Sequence, residues 1–183
     1  MRTAVALKEW GAAVHALLQG RQCVLLRKGG IGEKRFEIAA REFMLFPTIA
    51  HSHAERIRPE HRDLLAAAAA DSTEHHVVLR AAAKVVDALP VCRPEGLAAI
   101  EDLHIWTTES VRADRLNFRP RHRLVVLVVS VIPLVAPVRL ARNSDYAGCA
   151  SWVHVPITPM LAAPVCDEES LRRVAARVRD VVG

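Results

Sequence analysis

The sequence predicts an α+β fold, a single compact domain over residues 1–183 in which flanking helices cover a mixed or antiparallel sheet. Three observations lead there. A chain of 183 residues that is 51% hydrophobic can bury one sizeable core. Short apolar runs of strand type recur, such as "CVLLR" at 23–27 and "LVVLVVSVIPLVAPV" at 124–138. Between them lie segments with helical spacing, so strands and helices mix along the chain.

Taken in order, residues 5–19 place Leu7, Trp10, Val14, Leu17 and Leu18 at helical spacing and predict an amphipathic helix. Strand alternation fits Trp10 to Leu18 nearly as well. Gly20 stops this element, and "CVLLR" follows as a strand. "GGIGEKR" is the loop to a second strand region over 36–48, which ends at Pro47. Residues 58–70 read as a helix with Pro59 near its start. "EHHVVLRAAAKVVDAL" fits either period, and a strand is preferred. Short helices follow at 94–103 and from Thr107 or Thr108, either of which can cap. The Val-rich strand at 124–132 is ended or edged by Pro133 and Pro137. "ASWVHVP" is a further short strand with Trp152 and His154 on one face. Asp167 caps a last helix with Leu171, Val174, Val178 and Val181 in one stripe.

Lys plus Arg outnumber Asp plus Glu by 25 to 20, a mild excess that favours anionic partners. Aromatic content of 4% argues against a stacking platform for single strands. Cysteines 23, 92, 149 and 166 form no C-x-x-C pair, so reduced, buried thiols in a cytoplasmic protein are expected. Lys8 and Glu9 interrupt any signal-peptide core, and the longest apolar run is too short to span a bilayer, so no membrane partner is expected.

The blocks "ALKEW" at 6–10, "GRQCVLLRKGGI" at 20–31, "EFMLFPTIAH" at 42–51, "HIWT" at 104–107 and "YAGCASWV" at 146–153 together resemble the bacterial and archaeal family DUF1802. The resemblance spans nearly the whole chain and implies no activity. It departs where the family pattern leads one to expect an Arg and a Tyr in the long strand, because this chain has Ser130 and Ile132 there. In outline, a helix, a glycine and a strand ending in Arg is also similar to the opening of PUA-like ASCH domains, which implies a barrel-like sheet.

Two groups of cations are candidates for binding. The strand ending in Arg27 and Lys28 turns through Gly29 and Gly30, a pattern that can aim backbone N–H groups and two charges at an anion. It is not a P-loop, because "GGIGEKR" lacks the G-K-[ST] ending. Arg112, Arg115 and Arg119 fall at i, i+3 and i+7 and would form one row on a helix, suited to a phosphate backbone. The corresponding expectation is a basic groove for nucleic acid, RNA above all, or for a nucleotide or other phosphate-bearing ligand. The alternative is a hydrolase-type enzyme in which Glu42, His51 and His104 line a cleft and Arg27 and Lys28 hold an anionic substrate. A third is an accessory scaffold domain. No motif calls for a cofactor. His51 and His53 would need a third ligand such as Glu42, Glu55 or His104 to hold a metal, and no metal is assigned. Cys149 beside His104 has no local nucleophile signature.

Overall fold

The computed structural model describes residues 3–28, 36–50, 52–118 and 120–183. Six strands form one open sheet: β1 (Ala4–Trp10), β2 (Val24–Lys28), β3 (Glu42–Thr48), β4 (His76–Pro90), β5 (Leu124–Ala141) and β6 (Trp152–Val155). Their order is β2-β5-β4-β3-β1-β6. Among the described residues only β1 and β3 pair in parallel and every other strand pair is antiparallel, so the sheet is mixed. β2 and β6 remain as edges, and the barrel suggested by the ASCH-like outline does not close.

The first element departs from expectation. Residues 4–10 are strand, and the helix, α1, covers only Gly11–Leu18. Ala, Leu, Lys and Glu favour helix locally, but pairing with β3 on one side and β6 on the other satisfies both edges of this backbone, and that tertiary pairing wins. α1 then ends in a Schellman turn: Gly20 takes φ +70°, its N–H donates to Leu17 O at 3.2 Å, and Arg21 N–H donates to Ala16 O at 2.9 Å.

β5 runs far beyond the predicted stop at Pro133. Pro133 pairs with Ala81 beside a register shift between Leu79 and Ala81, a bulged stretch where a missing N–H costs little. Pro47 likewise sits inside β3, whose pairing with β4 covers only Glu42 to Met44. The Val-rich run is continuous because both faces are covered: Val24, Val126 and Val128 belong to one buried cluster, Leu25, Leu127 and Val129 to another.

The remaining helices are α2 (His53–Arg56), α3 (Leu64–Asp71), α4 (Thr108–Val111) and α5 (Glu168–Val182), with a 3₁₀ segment at Pro94–Leu103. The predicted caps form. Thr107 Oγ1 accepts from Ser110 N–H at 3.1 Å, and Asp167 Oδ1 accepts from Ser170 N–H at 2.8 Å. The end of α5 packs on the 3₁₀ segment, where Cys92 and Arg93 N–H groups both donate to Val182 O. No described helix is long and apolar enough to cross a membrane.

Candidate functional site

A cleft of about 470 Å³ opens where β1, β3 and the residues before β6 meet. Lys8, Arg27 and Arg142 line it together with Thr48, Gly148 and Cys149, and no carboxylate is among its described lining residues. Each cation reaches it from a different element. Lys8 lies in β1, and its Nζ donates to Gly148 O at 3.0 Å and to Ala147 O at 3.4 Å. Burial, and then the neighbouring Arg142, push the Lys8 ammonium below its usual range. Arg142, just past β5, donates to Thr73 O and Ser72 Oγ, each at 2.6 Å, and stacks over Phe46 at 6.0 Å.

Arg27 is held more tightly. Its Nη1 donates to Lys8 O at 3.1 Å and to Glu9 Oε2 at 3.2 Å, and its guanidinium lies over Phe36 at 5.1 Å. Glu9 is only 4% exposed, and its Oε1 accepts from Trp10 N–H at 2.8 Å. Arg27 Nε is buried without an acceptor among the described residues. The predicted basic corner therefore carries an internal counter-ion: three lining cations less the Glu9 behind Arg27 leave a formal balance of two positive charges.

Lys28 does not join them. Its Nζ donates to Arg115 O at 2.6 Å and Phe118 O at 2.5 Å, tying β2 to the segment after α4. Gly29 and Gly30 lie outside the described residues. The arginine row is not one face. Residues Arg112–Asn117 form a π-helical turn, whose wider winding breaks the i, i+3 alignment. Arg112 is exposed beside a separate cavity with Glu95 and Glu101, whereas Arg115 turns inward and its Nε donates to Leu26 O at 3.2 Å. Arg119 lies outside the described residues.

Of the candidate catalytic residues, the two that are described, Glu42 and His104, occupy different surroundings. Glu42 is exposed at the start of β3 and pairs with Lys84 at 3.5 Å. His104 is buried, and its Nδ1 accepts from Trp106 N–H at 3.2 Å. Burial, with Arg58 adding to it, pushes the His104 pKa down to about 4, so the ring is neutral. His51 lies outside the described residues. His53 packs between Trp10 and Trp106 at 4.7 and 6.4 Å, both ring nitrogens lacking a partner among the described residues, and burial lowers its pKa to about 4. Among the described residues no three His, Cys, Asp or Glu side chains gather as a metal site would need.

The cysteines also differ from expectation: Cys92 and Cys149 are exposed, Cys23 and Cys166 half-buried. Sequence reasoning misses Lys8 and Glu9 because it reads residues 5–19 as one amphipathic helix, where neither points to a site. Tyr146 to Ser151 contribute cleft wall with no charge to reveal them. Of the five family-like sequence blocks, four supply cleft residues, "HIWT" being the exception.

No curated protein and no solved structure matches the chain. A family model, described as domain of unknown function DUF1802, matches residues 6–177. That match covers nearly the whole chain, and the protein belongs to the DUF1802 family.

Proposed function

We propose that the cleft binds a phosphate-bearing small ligand of nucleotide size. One observation carries the reading: Lys8, Arg27 and Arg142 line one concavity that has no carboxylate in its wall among the described residues. The volume of about 470 Å³ lies within the range of small-ligand pockets. Arg142 makes the Lys8 ammonium harder to keep charged, so a phosphate held between the two relieves a repulsion that burial sharpens. Gly148, at φ +76° with no atom within 4 Å of where a Cβ would stand, lets a ligand approach the loop backbone closely. A nucleotide fits better than a duplex backbone, because the arginines expected to extend the groove along one helix face diverge.

The test is calorimetric titration with pyrophosphate, nucleoside triphosphates, the matching nucleosides and short RNA and DNA strands, at low and raised salt. Nucleotides are expected to bind with strong salt dependence, and nucleosides not at all. Lys8→Gln and Arg142→Gln should each weaken binding about tenfold, the loss of roughly one charge-assisted hydrogen bond. Equal affinity for nucleoside and nucleotide, or binding indifferent to both substitutions, overturns the reading. Tighter binding of an oligonucleotide than of any mononucleotide would favour the nucleic-acid groove instead.

A further inference from the structure

We infer that Cys23 and Cys166 are a redox-modifiable pair that closes to an intramolecular disulfide when the protein meets a peroxide. The inference is independent of the cleft. β5 keeps β4 along one edge. Its other edge is taken first by β2, as far as the pair Val24 and Val128, with Val129 N–H donating to Cys23 O at 3.0 Å. Beyond that point residues 160–165 take over the same edge: Val135 N–H donates to Met160 O at 2.9 Å, Ala162 N–H to Pro133 O at 2.8 Å, and Val165 N–H to Val131 O at 2.9 Å. Leu134 and Leu161 pair antiparallel, so this segment runs in the same sense as β2.

Along this edge the two pieces follow each other as the halves of one interrupted strand. Cys166 comes directly after the last residue of the first piece, and Cys23 directly precedes the first residue of the second. Both therefore meet β5 near Val129 and Ser130, and both pack against the same core cluster. The Cys23 thiol is pushed up to about 11 by burial and then by Cys166, in keeping with the two residues standing next to each other on this edge. A disulfide spans Cα atoms about 4.4–6.8 Å apart, the range within which Cys23 and Cys166 must come for the bridge to close.

Access divides the roles. Cys166 lines an open cavity of about 630 Å³ with Lys84, Ser130 and Asp167, whereas Cys23 does not line it. Peroxide reaches Cys166 first: its Sγ takes one oxygen, giving a sulfenic acid and releasing water. The Cys23 sulfur then attacks the Cys166 sulfur, an S–S bond forms, and hydroxide leaves and takes up the Cys23 proton as a second water. Two thiols and one hydrogen peroxide thus give one disulfide and two waters. The raised Cys23 pKa keeps that thiol protonated and slow toward peroxide, and its attack on the Cys166 sulfenic acid proceeds through the small thiolate fraction, held beside its target.

The experiment treats the native, reduced protein with hydrogen peroxide, blocks free thiols with iodoacetamide, and maps peptides by mass spectrometry without reduction. The expected product is a Cys23–Cys166 linked peptide, lighter by two hydrogen atoms than the sum of its parts and released by dithiothreitol, while Cys92 and Cys149 remain alkylatable or become singly oxidised. The oxidised protein should melt higher than the reduced one. In Cys166→Ser that increment should vanish and Cys23 should stay a free thiol. In Cys23→Ser, Cys166 should run on to sulfinic acid. A bridge to Cys92 or Cys149, a bridge between two chains, or Cys166 over-oxidised in the wild type with Cys23 still free overturns the inference.

Discussion

His53 and His104 share burial and a pKa lowered to about 4, yet their replacement should act in opposite directions. His53 is 4% exposed and has no hydrogen-bond partner on either ring nitrogen among the described residues, which leaves at least one N–H and one lone pair stranded between Trp10 and Trp106. An unsatisfied buried group costs about 1–3 kcal/mol, and Phe keeps the ring while removing the polar atoms. His53→Phe should therefore be neutral or stabilising by up to about 2 kcal/mol at neutral pH, some of the gain being lost to the larger ring. His104→Phe should destabilise by about 1–3 kcal/mol, because Trp106 N–H loses the Nδ1 that accepts it. The pH dependence follows from the same burial. Between pH 6.5 and 4 the unfolded chain protonates His53 and the folded one does not, so stability is present above this window and is lost as pH falls through it. The slope is about 1.4 kcal/mol per pH unit for one site, or about 2 kcal/mol between pH 7 and pH 5. His53→Phe should remove that contribution and leave the equal one from His104. Urea denaturation of wild type and both variants at pH 7 and pH 5 measures all of it. If His53→Phe costs as much as His104→Phe, or keeps the wild-type acid sensitivity, the imidazole is solvated or bonded and the reasoning fails.

Two substitutions probe the frame that holds the cleft. A methyl at Gly96 would fall 1.9 Å from Val181 O, a backbone atom that cannot rotate away, so Gly96→Ala should push α5 off the 3₁₀ segment and cost about 3 kcal/mol or more, read as a lower urea midpoint and faster proteolysis near the C-terminus. Asp71 is buried and accepts from Arg80 Nε and Nη2 at 2.6 and 2.7 Å and pairs with His15 Nε2 at 2.8 Å. Asp71→Ala should cost about 2–4 kcal/mol by thermal denaturation, less than a wholly buried pair because Arg80 can turn toward water. In the cleft, alkylation of exposed Cys149 by iodoacetamide should slow when a nucleotide is added, and not when the matching nucleoside is.

Elements whose signals are local are legible in the sequence. β2 is bounded by a turn and carries a continuous apolar run, α5 is marked by Asp167 and an apolar stripe, and the Thr107 cap by its own side chain. The errors fall where pairing overrules local preference. "ALKEW" has helix-forming residues, and nothing within five positions shows that β3 and β6 will flank it. Pro133 and Pro137 read as stops because a bulge on β4, about fifty positions earlier, is invisible from β5's own sequence. The arginine row fails for a different reason: its spacing assumes 3.6 residues per turn, and the π-helical winding of Arg112–Asn117 sends Arg112 and Arg115 in different directions.

The same distinction governs the cleft. Arg27 is visible as the cation ending a strand, but its partners are not: β2 and β1 stand four places apart in the strand order, and Lys8, Glu9 and Arg142 meet Arg27 only because the sheet curls across that gap. That order has an electrostatic consequence. An interior strand such as β1 normally carries apolar or neutral residues, yet it holds Lys8 and Glu9 side by side on opposite faces of the pleat. Glu9 offsets Arg27, and among the described residues no such carboxylate lines the wall beside Lys8, whose ammonium rests on two loop carbonyls near Arg142. Carbonyl oxygens satisfy the donors of Lys8 without cancelling its charge, so the repulsion from Arg142 persists. An arrangement selected for stability alone would place a carboxylate or an apolar side chain there. A phosphate-bearing ligand supplies the missing counter-charge, and for that reason the absence of an acid among the described residues of this wall weighs more for the binding reading than the count of three cations does.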